Sequence, residues 1–182
     1  NLESCALVGF SLGGLIVQDF ALNHSEKVDA LAILNTAHGR TESERKAVLK
    51  RVQQAAEHGP SSTVTDALQR WFSNDFATRE PEVLEKVRKW IIANDKKIYP
   101  EIYRLLAECD EPLTDAISAI RCPTLVMTGE NDFGNSPAMA KRMSELIPEA
   151  YVEILPGLKH MGLAENPQEF NSRLVPFLQD VL

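Results

Sequence analysis

The stretch ALVGFSLGGLIVQDF, from Ala6 to Phe20, constrains the fold more than any other part of the chain. Cys5–Phe10 is a continuous apolar run with a glycine near its end, the pattern of a strand buried on both faces. Ser11 then opens a helix in which Leu12, Ile16, Val17 and Phe20 recur at helical spacing. A second apolar run, VDALAILN from Val28 to Asn35, follows after a short link. Strand, helix and strand in that order make a right-handed βαβ unit, so a parallel sheet is expected.

The texture changes between Gly39 and Pro112. Thr41 and Glu44 have the spacing of a capping box ahead of RKAVLKRVQQAAEH, and HGPSS breaks that helix. Helical periodicity continues through Thr63–Phe72, Pro81–Asn94 and Ile98–Glu108, with no strand pattern among them. The α/β rhythm then resumes. Thr124–Thr128 reads as a strand, Ser136 and Pro137 as the N-cap and first turn of a helix, and Ala150–Leu155 as a fourth strand. Asn166 and Pro167 start a last helix with the stripe Phe170, Leu174, Phe177 and Leu178. The expected organisation is a core part at 1–38, an inserted helical cap at 39–112 and a second core part at 113–182.

Gly9-Phe10-Ser11-Leu12-Gly13 is a G-x-S-x-G pattern between the strand and the helix. Its glycines let the backbone bend sharply and expose the Ser11 hydroxyl at the strand's carboxyl end, with the Leu12 N–H at the helix start facing a nascent oxyanion. A serine hydroxyl is a poor nucleophile without a base and a group that orients that base. Of the four histidines, His24 ends a helix and His58 precedes a Gly-Pro breaker, so both read as solvated. His38, in NTAHGR, follows the second strand and is a candidate substrate contact. His160, in the loop after the last strand, is the candidate base. The turn MTGENDFGNSP offers Asp132 as the acid, with Glu130 as the second candidate. Ser11, Asp132 and His160 then stand at the carboxyl edges of different parallel strands, where open α/β sheets place their sites.

With these residues in this order, the chain resembles the α/β-hydrolase superfamily. GFSLGG is similar to its nucleophile elbow, TGENDFGNSP to its acid turn and GLKHMGLAENPQEF to its histidine loop and closing helix. NTAHGR and LQRWFSNDFATREPEVLEKV resemble the cap region of 3-oxoadipate enol-lactonases. The resemblance implies the C-terminal half of an α/β-hydrolase, with parallel strands flanked by helices and a helical cap. It implies a Ser-His-Asp hydrolase acting on an ester or lactone, with carbon–carbon bond hydrolysis by the same site as an alternative. Such a site needs no metal or organic cofactor. Arg70 is the candidate partner of a substrate carboxylate, and Phe10, Trp71 and Met161 are candidate pocket residues; Trp71 and Phe72 equally suit packing of the cap. A non-catalytic binding protein or an inactive fragment is the rival reading.

Composition narrows the partners. A net charge of −7 without a long Lys/Arg cluster argues against nucleic acid or an anionic membrane surface, leaving a small molecule as the expected partner. Cys5, Cys109 and Cys122 have no metal-site spacing and suit free thiols in a reducing cytoplasm. The chain opens on Asn1, and its first methionine is Met127. A longer parent is therefore expected, with an upstream half that supplies further strands and a second oxyanion N–H. On its own, the chain is expected to be less active and to pair as a homodimer through its first strand.

Overall fold

The computed structural model describes residues 2–181. The apolar runs form four parallel strands, β1 (Cys5–Phe10), β2 (Val28–Leu34), β3 (Thr124–Gly129) and β4 (Ala150–Leu155), in the spatial order β1-β2-β3-β4. The central strands β2 and β3 are buried along almost their whole length. β1 departs from the expectation of a strand covered on both faces. Among the described residues it pairs with β2 alone, most of it is only partly buried, and Val8 is 45% exposed.

Helix α1 (Leu12–Asn23) joins β1 to β2. Between β2 and β3 the described residues form helices only: α2 (Glu42–His58), α3 (Val64–Trp71), α4 (Asn74–Arg79), α5 (Pro81–Ile92), α6 (Ile98–Glu108) and α7 (Asp110–Ala116), with short 3-10 turns. Helix α8 (Pro137–Leu146) joins β3 to β4, and α9 (Gly162–Glu165) and α10 (Pro167–Val181) follow. The expected caps form. Thr41 and Glu44 close a reciprocal capping box, the Ser136 hydroxyl accepts from Met139 N, and Asn166 Oδ1 accepts from Glu169 N.

The expected boundary at Pro112 falls inside α7. Proline in a helix's first turn lacks an N–H that would have no acceptor there anyway, so Pro112 continues the helix instead of ending it.

Strand alternation sorts the core into two layers. Leu31 and Ile33 face Leu15, Ile117, Val126 and Met143 under α1, α7 and α8. Ala30 and Ala32 face Met127, Leu155, Phe170 and Phe177 under α10. Close approach sets how α1 lies on the sheet. A Cβ on Gly9 would run into the Gly13 carbonyl and Val17. The buried face of α1 is accordingly Gly14, Leu15, Gln18 and Ala21, while Ile16 and Phe20 of the predicted stripe point outward at 60% and 38% exposure.

One buried carboxylate ties the two ends of the helical insertion. Asp110 Oδ2 accepts from Arg40 N at 3.0 Å, and Oδ1 accepts from the Arg40 and Arg45 Nη1 atoms, each at 3.0 Å. The same guanidinium groups donate to the Leu106 and Ala107 carbonyls at the end of α6. Removing one partner of such a pair strands the other charge inside the protein. Asp110→Ala is expected to destabilise the fold by about 3–5 kcal/mol in urea denaturation; a loss below about 1 kcal/mol, the level of an exposed pair, would contradict this role.

Candidate active site

Three of the four strand ends carry the groups singled out in the sequence. Ser11 follows β1 with φ 53° and ψ −115°, a backbone conformation that L-residues rarely adopt. Neighbouring backbone and side-chain groups hold that bend. Ser11 N donates to Leu34 O at 2.8 Å, and Ser11 O accepts from Gly14 N and Thr36 Oγ1, each at 3.0 Å. Leu12 is the first residue of α1, so its N–H belongs to the turn that lacks intrahelical acceptors.

The turn after β3 and the loop after β4 are pinned together by backbone. Glu130 N donates to Leu155 O, and Asn131 N to Leu158 O. A side chain at Gly129 would strike the Leu158 and Lys159 carbonyls, so only glycine permits this approach. The result brings Asp132 against His160, both buried, with Asp132 Oδ2 accepting from His160 Nδ1 at 2.7 Å. An imidazole that donates from Nδ1 presents its Nε2 lone pair as a base. Asp132 Oδ1 accepts from Gly134 N and Asn135 N at 3.2 and 3.0 Å. Asn35 Nδ2 donates to Oδ2 at 3.0 Å. Every lone-pair direction of this carboxylate is engaged.

Glu130 does not compete for His160. It is exposed, and its Oε2 accepts from Gly157 N at 2.9 Å.

His160 is held between aromatic rings. Phe10, the residue before Ser11, has its ring 5.0 Å from the imidazole, and Trp71 of α3 lies at 5.8 Å on centroids. Met161 N donates to Trp71 O at 2.9 Å, and Lys159 Nζ to Gln69 O at 2.9 Å, so the histidine loop is stitched to α3. The Met161 side chain packs with the α3 and α5 core instead of lining the cavity.

Beside Asp132 and His160 opens a cavity of about 210 Å³. Its wall is cationic, with Arg40, Arg51, Arg70 and Lys159, and includes Trp71 and Tyr103. Arg40 is bound to Asp110, and Arg51 donates from Nε to the Tyr103 hydroxyl at 3.0 Å. Arg70 has no hydrogen-bond or ion-pair partner among the described residues. Burial, and next the charge of the Arg51 guanidinium, push its proton affinity below the ordinary arginine range.

His38 does not join this wall. It is 2% exposed, against the expectation of a substrate contact, because the segment carrying it is drawn inward at Arg40 by Asp110. Asn35, Asn135, Arg51 and Lys159 were not singled out by the sequence. Asn35 ends the apolar run of β2, which was the only local signal for it.

Comparison with known proteins agrees with this architecture. The Hydrolase_4 family, described as serine aminopeptidase, S33, matches residues 1–167. The chain belongs to this family. The α/β-hydrolase chain is 29% identical over 179 residues to the (E)-2-((N-methylformamido)methylene)succinate hydrolase of Acinetobacter baylyi, covering 98% of this chain and 66% of that protein. It is 29% identical over 171 residues to 3-oxoadipate enol-lactonase 2 of the same organism, covering 94% and 62%. The solved enol-lactonase of Burkholderia xenovorans superposes with a TM-score of 0.86 at 25% identity, over 98% of this chain and 66% of that one. The chain thus spans somewhat under two thirds of the length of these relatives. Among the described residues no helix is long and apolar enough to cross a membrane.

His38 gives this α/β-hydrolase an acid-sensitive interior. Burial, and next the nearby Arg142 guanidinium, lower its pKa from 6.5 to about 4, against the opposing pull of Asp110 and Asp115. The unfolded chain binds this proton more tightly, so stability falls as pH drops from about 6.5 through 4 and is unaffected by this group above that window. The loss amounts to roughly 3 kcal/mol at most. Urea midpoints measured from pH 7 to 4 are expected to fall less steeply in His38→Gln; parallel curves would contradict this.

Proposed function

We propose that this chain carries the site of a serine hydrolase that cleaves a carboxylic ester or lactone bearing a second, ionised carboxylate. Ser11 Oγ attacks the carbonyl carbon while its proton passes to His160 Nε2. Asp132 holds the imidazole in the tautomer that can accept that proton and stabilises the imidazolium that forms. The Leu12 N–H donates to the oxyanion. The imidazolium then protonates the leaving oxygen as the C–O bond breaks, which in a lactone opens the ring. Water, deprotonated by His160, attacks the acyl carbon; the bond to Ser11 Oγ breaks and the imidazolium returns that proton to Oγ, freeing the acid and Ser11.

The observation that carries this reading is the 2.7 Å His160–Asp132 contact beside a wall of cations. A half-buried guanidinium without a partner invites an anion, and a carboxylate matches its forked donors. Arg70 and Arg51 both line the cavity, so an anion there offsets their mutual repulsion as well as gaining hydrogen bonds. The relatives support the substrate class. The names of the two Acinetobacter baylyi proteins specify a succinate and a 3-oxoadipate enol-lactone. Trp71, packed on His160, walls the space between base and cations and fits the role of a cap residue over the acyl group.

Steady-state hydrolysis of paired substrates tests this. A half-ester of a dicarboxylic acid is expected to be preferred over its neutral diester, and Ser11→Ala to lower turnover of both by at least about a thousandfold. Arg70→Leu is expected to raise KM for the half-ester by roughly ten- to a hundredfold and to leave the diester nearly unchanged. Equal loss on both substrates would contradict the anion-binding role.

A further inference from the structure

Asn35 stands at the carboxyl end of β2, fully buried, in a left-handed backbone conformation with φ 49°. Its backbone N–H continues the sheet ladder, donating to Met127 O at 2.8 Å. Its side-chain amide crosses to the neighbouring turn, where Nδ2 donates to Asp132 Oδ2 at 3.0 Å and lies 3.5 Å from Thr128 Oγ1. The Thr128 hydroxyl spends its own proton on Asn135 O, which leaves its oxygen free to face the Asn35 amide. Reversing the amide would set its carbonyl oxygen against a carboxylate, so the chemistry of the neighbours fixes its orientation.

This placement is unfavourable by itself. The other amide atom, Oδ1, is buried without a partner, and a buried carbonyl left unpaired weakens the fold. The strand residues that precede it, Leu31, Ile33 and Leu34, are apolar and buried, so Asn35 is where the run turns polar. The one strong contact of the amide is with the carboxylate that holds His160.

We infer that Asn35 is a positioning residue for the proposed hydrolysis: its amide fixes the rotation of the Asp132 carboxylate so that Oδ2 stays aimed at His160 Nδ1. This rests on the Ser11–His160–Asp132 reading. Oδ1 of Asp132 is fixed by two backbone N–H groups, whereas Oδ2 has only His160 and Asn35. Without the amide, the imidazole alone sets the position of Oδ2, and the His160 ring loses its rigid counterpart.

Two substitutions separate this role from a backbone effect. Asn35→Gly tolerates the positive φ and removes the amide. Asn35→Asp keeps the shape and the left-handed preference, and its carboxyl can donate to Asp132 only while it holds a proton. Hydrolysis of p-nitrophenyl acetate is followed against pH, together with the far-downfield proton NMR signal of the His160 Nδ1–H and the melting temperature. Asn35→Gly is expected to lower kcat by roughly ten- to a hundredfold with KM little changed, and to shift or broaden the NMR signal. Asn35→Asp is expected to keep activity toward acid pH and lose it, with a new limb in the profile, as the shared proton leaves.

Unchanged pH profiles and an unchanged NMR signal in both variants would overturn the inference, whatever happens to stability. The NMR readout needs no turnover. If the wild-type chain fails to hydrolyse the ester while substitution at Asn35 still moves the signal, the hydrolase reading falls and the positioning stands. If the wild type turns over and Asn35→Gly matches it within about twofold, only the positioning falls.

Discussion

The Asp132 carboxylate receives four donors from three segments of the chain: two backbone N–H groups of its own turn, the Asn35 amide after β2 and the His160 imidazole after β4. A buried carboxylate is tolerated only when its lone pairs are met, and each donor here also fixes the position of the segment that supplies it. The turn after β3 is thereby tied to the strand ends on either side of it. Gly129 lets the acid turn touch the histidine loop, and the strained bend at Ser11 is braced by Leu34 and Thr36 from the same edge. The sheet brings these loops side by side, and the carboxylate sets how they meet.

The helical insertion contributes a second kind of electrostatic order. Asp110 neutralises Arg40 and Arg45 where the insertion joins the sheet, so those cations serve the fold. Among the described residues Arg70 has no such partner, and Arg51 donates to the Tyr103 hydroxyl. Two half-buried arginines facing one cavity raise its positive potential in surroundings that water screens poorly. Because α3 is hydrogen-bonded to the histidine loop at Trp71 and Gln69, that charge is held in a fixed relation to His160.

Much of this was legible in the residues alone. The apolar runs of β1 to β4, the caps at Thr41, Ser136 and Asn166, and the turns that carry Asp132 and His160 rest on local patterns, and these are what periodicity and turn chemistry report. Most of the misjudged features are long-range. The outward face of α1 follows from the contact between Gly9 and Gly13, which helical spacing does not encode. His38 looked accessible after β2, yet the pull of Asp110, seventy positions away on Arg40, draws its segment inward. Pro112 read as a boundary because a proline's tolerance in a first turn depends on where that turn begins. Arg51 carried no local signal and Asn35 only its place at the end of an apolar run, because their partners Tyr103 and Asp132 are brought near only by the fold.

The proposed activation of Ser11 by the buried pair is measured directly by reaction with a fluorophosphonate and peptide mapping of the adduct by mass spectrometry. Rapid labelling is predicted at Ser11 alone among the chain's serines, with the adduct lost in His160→Gln and nearly lost in Asp132→Asn. Absence of an adduct on Ser11, or equal labelling when His160 is replaced, would contradict the account.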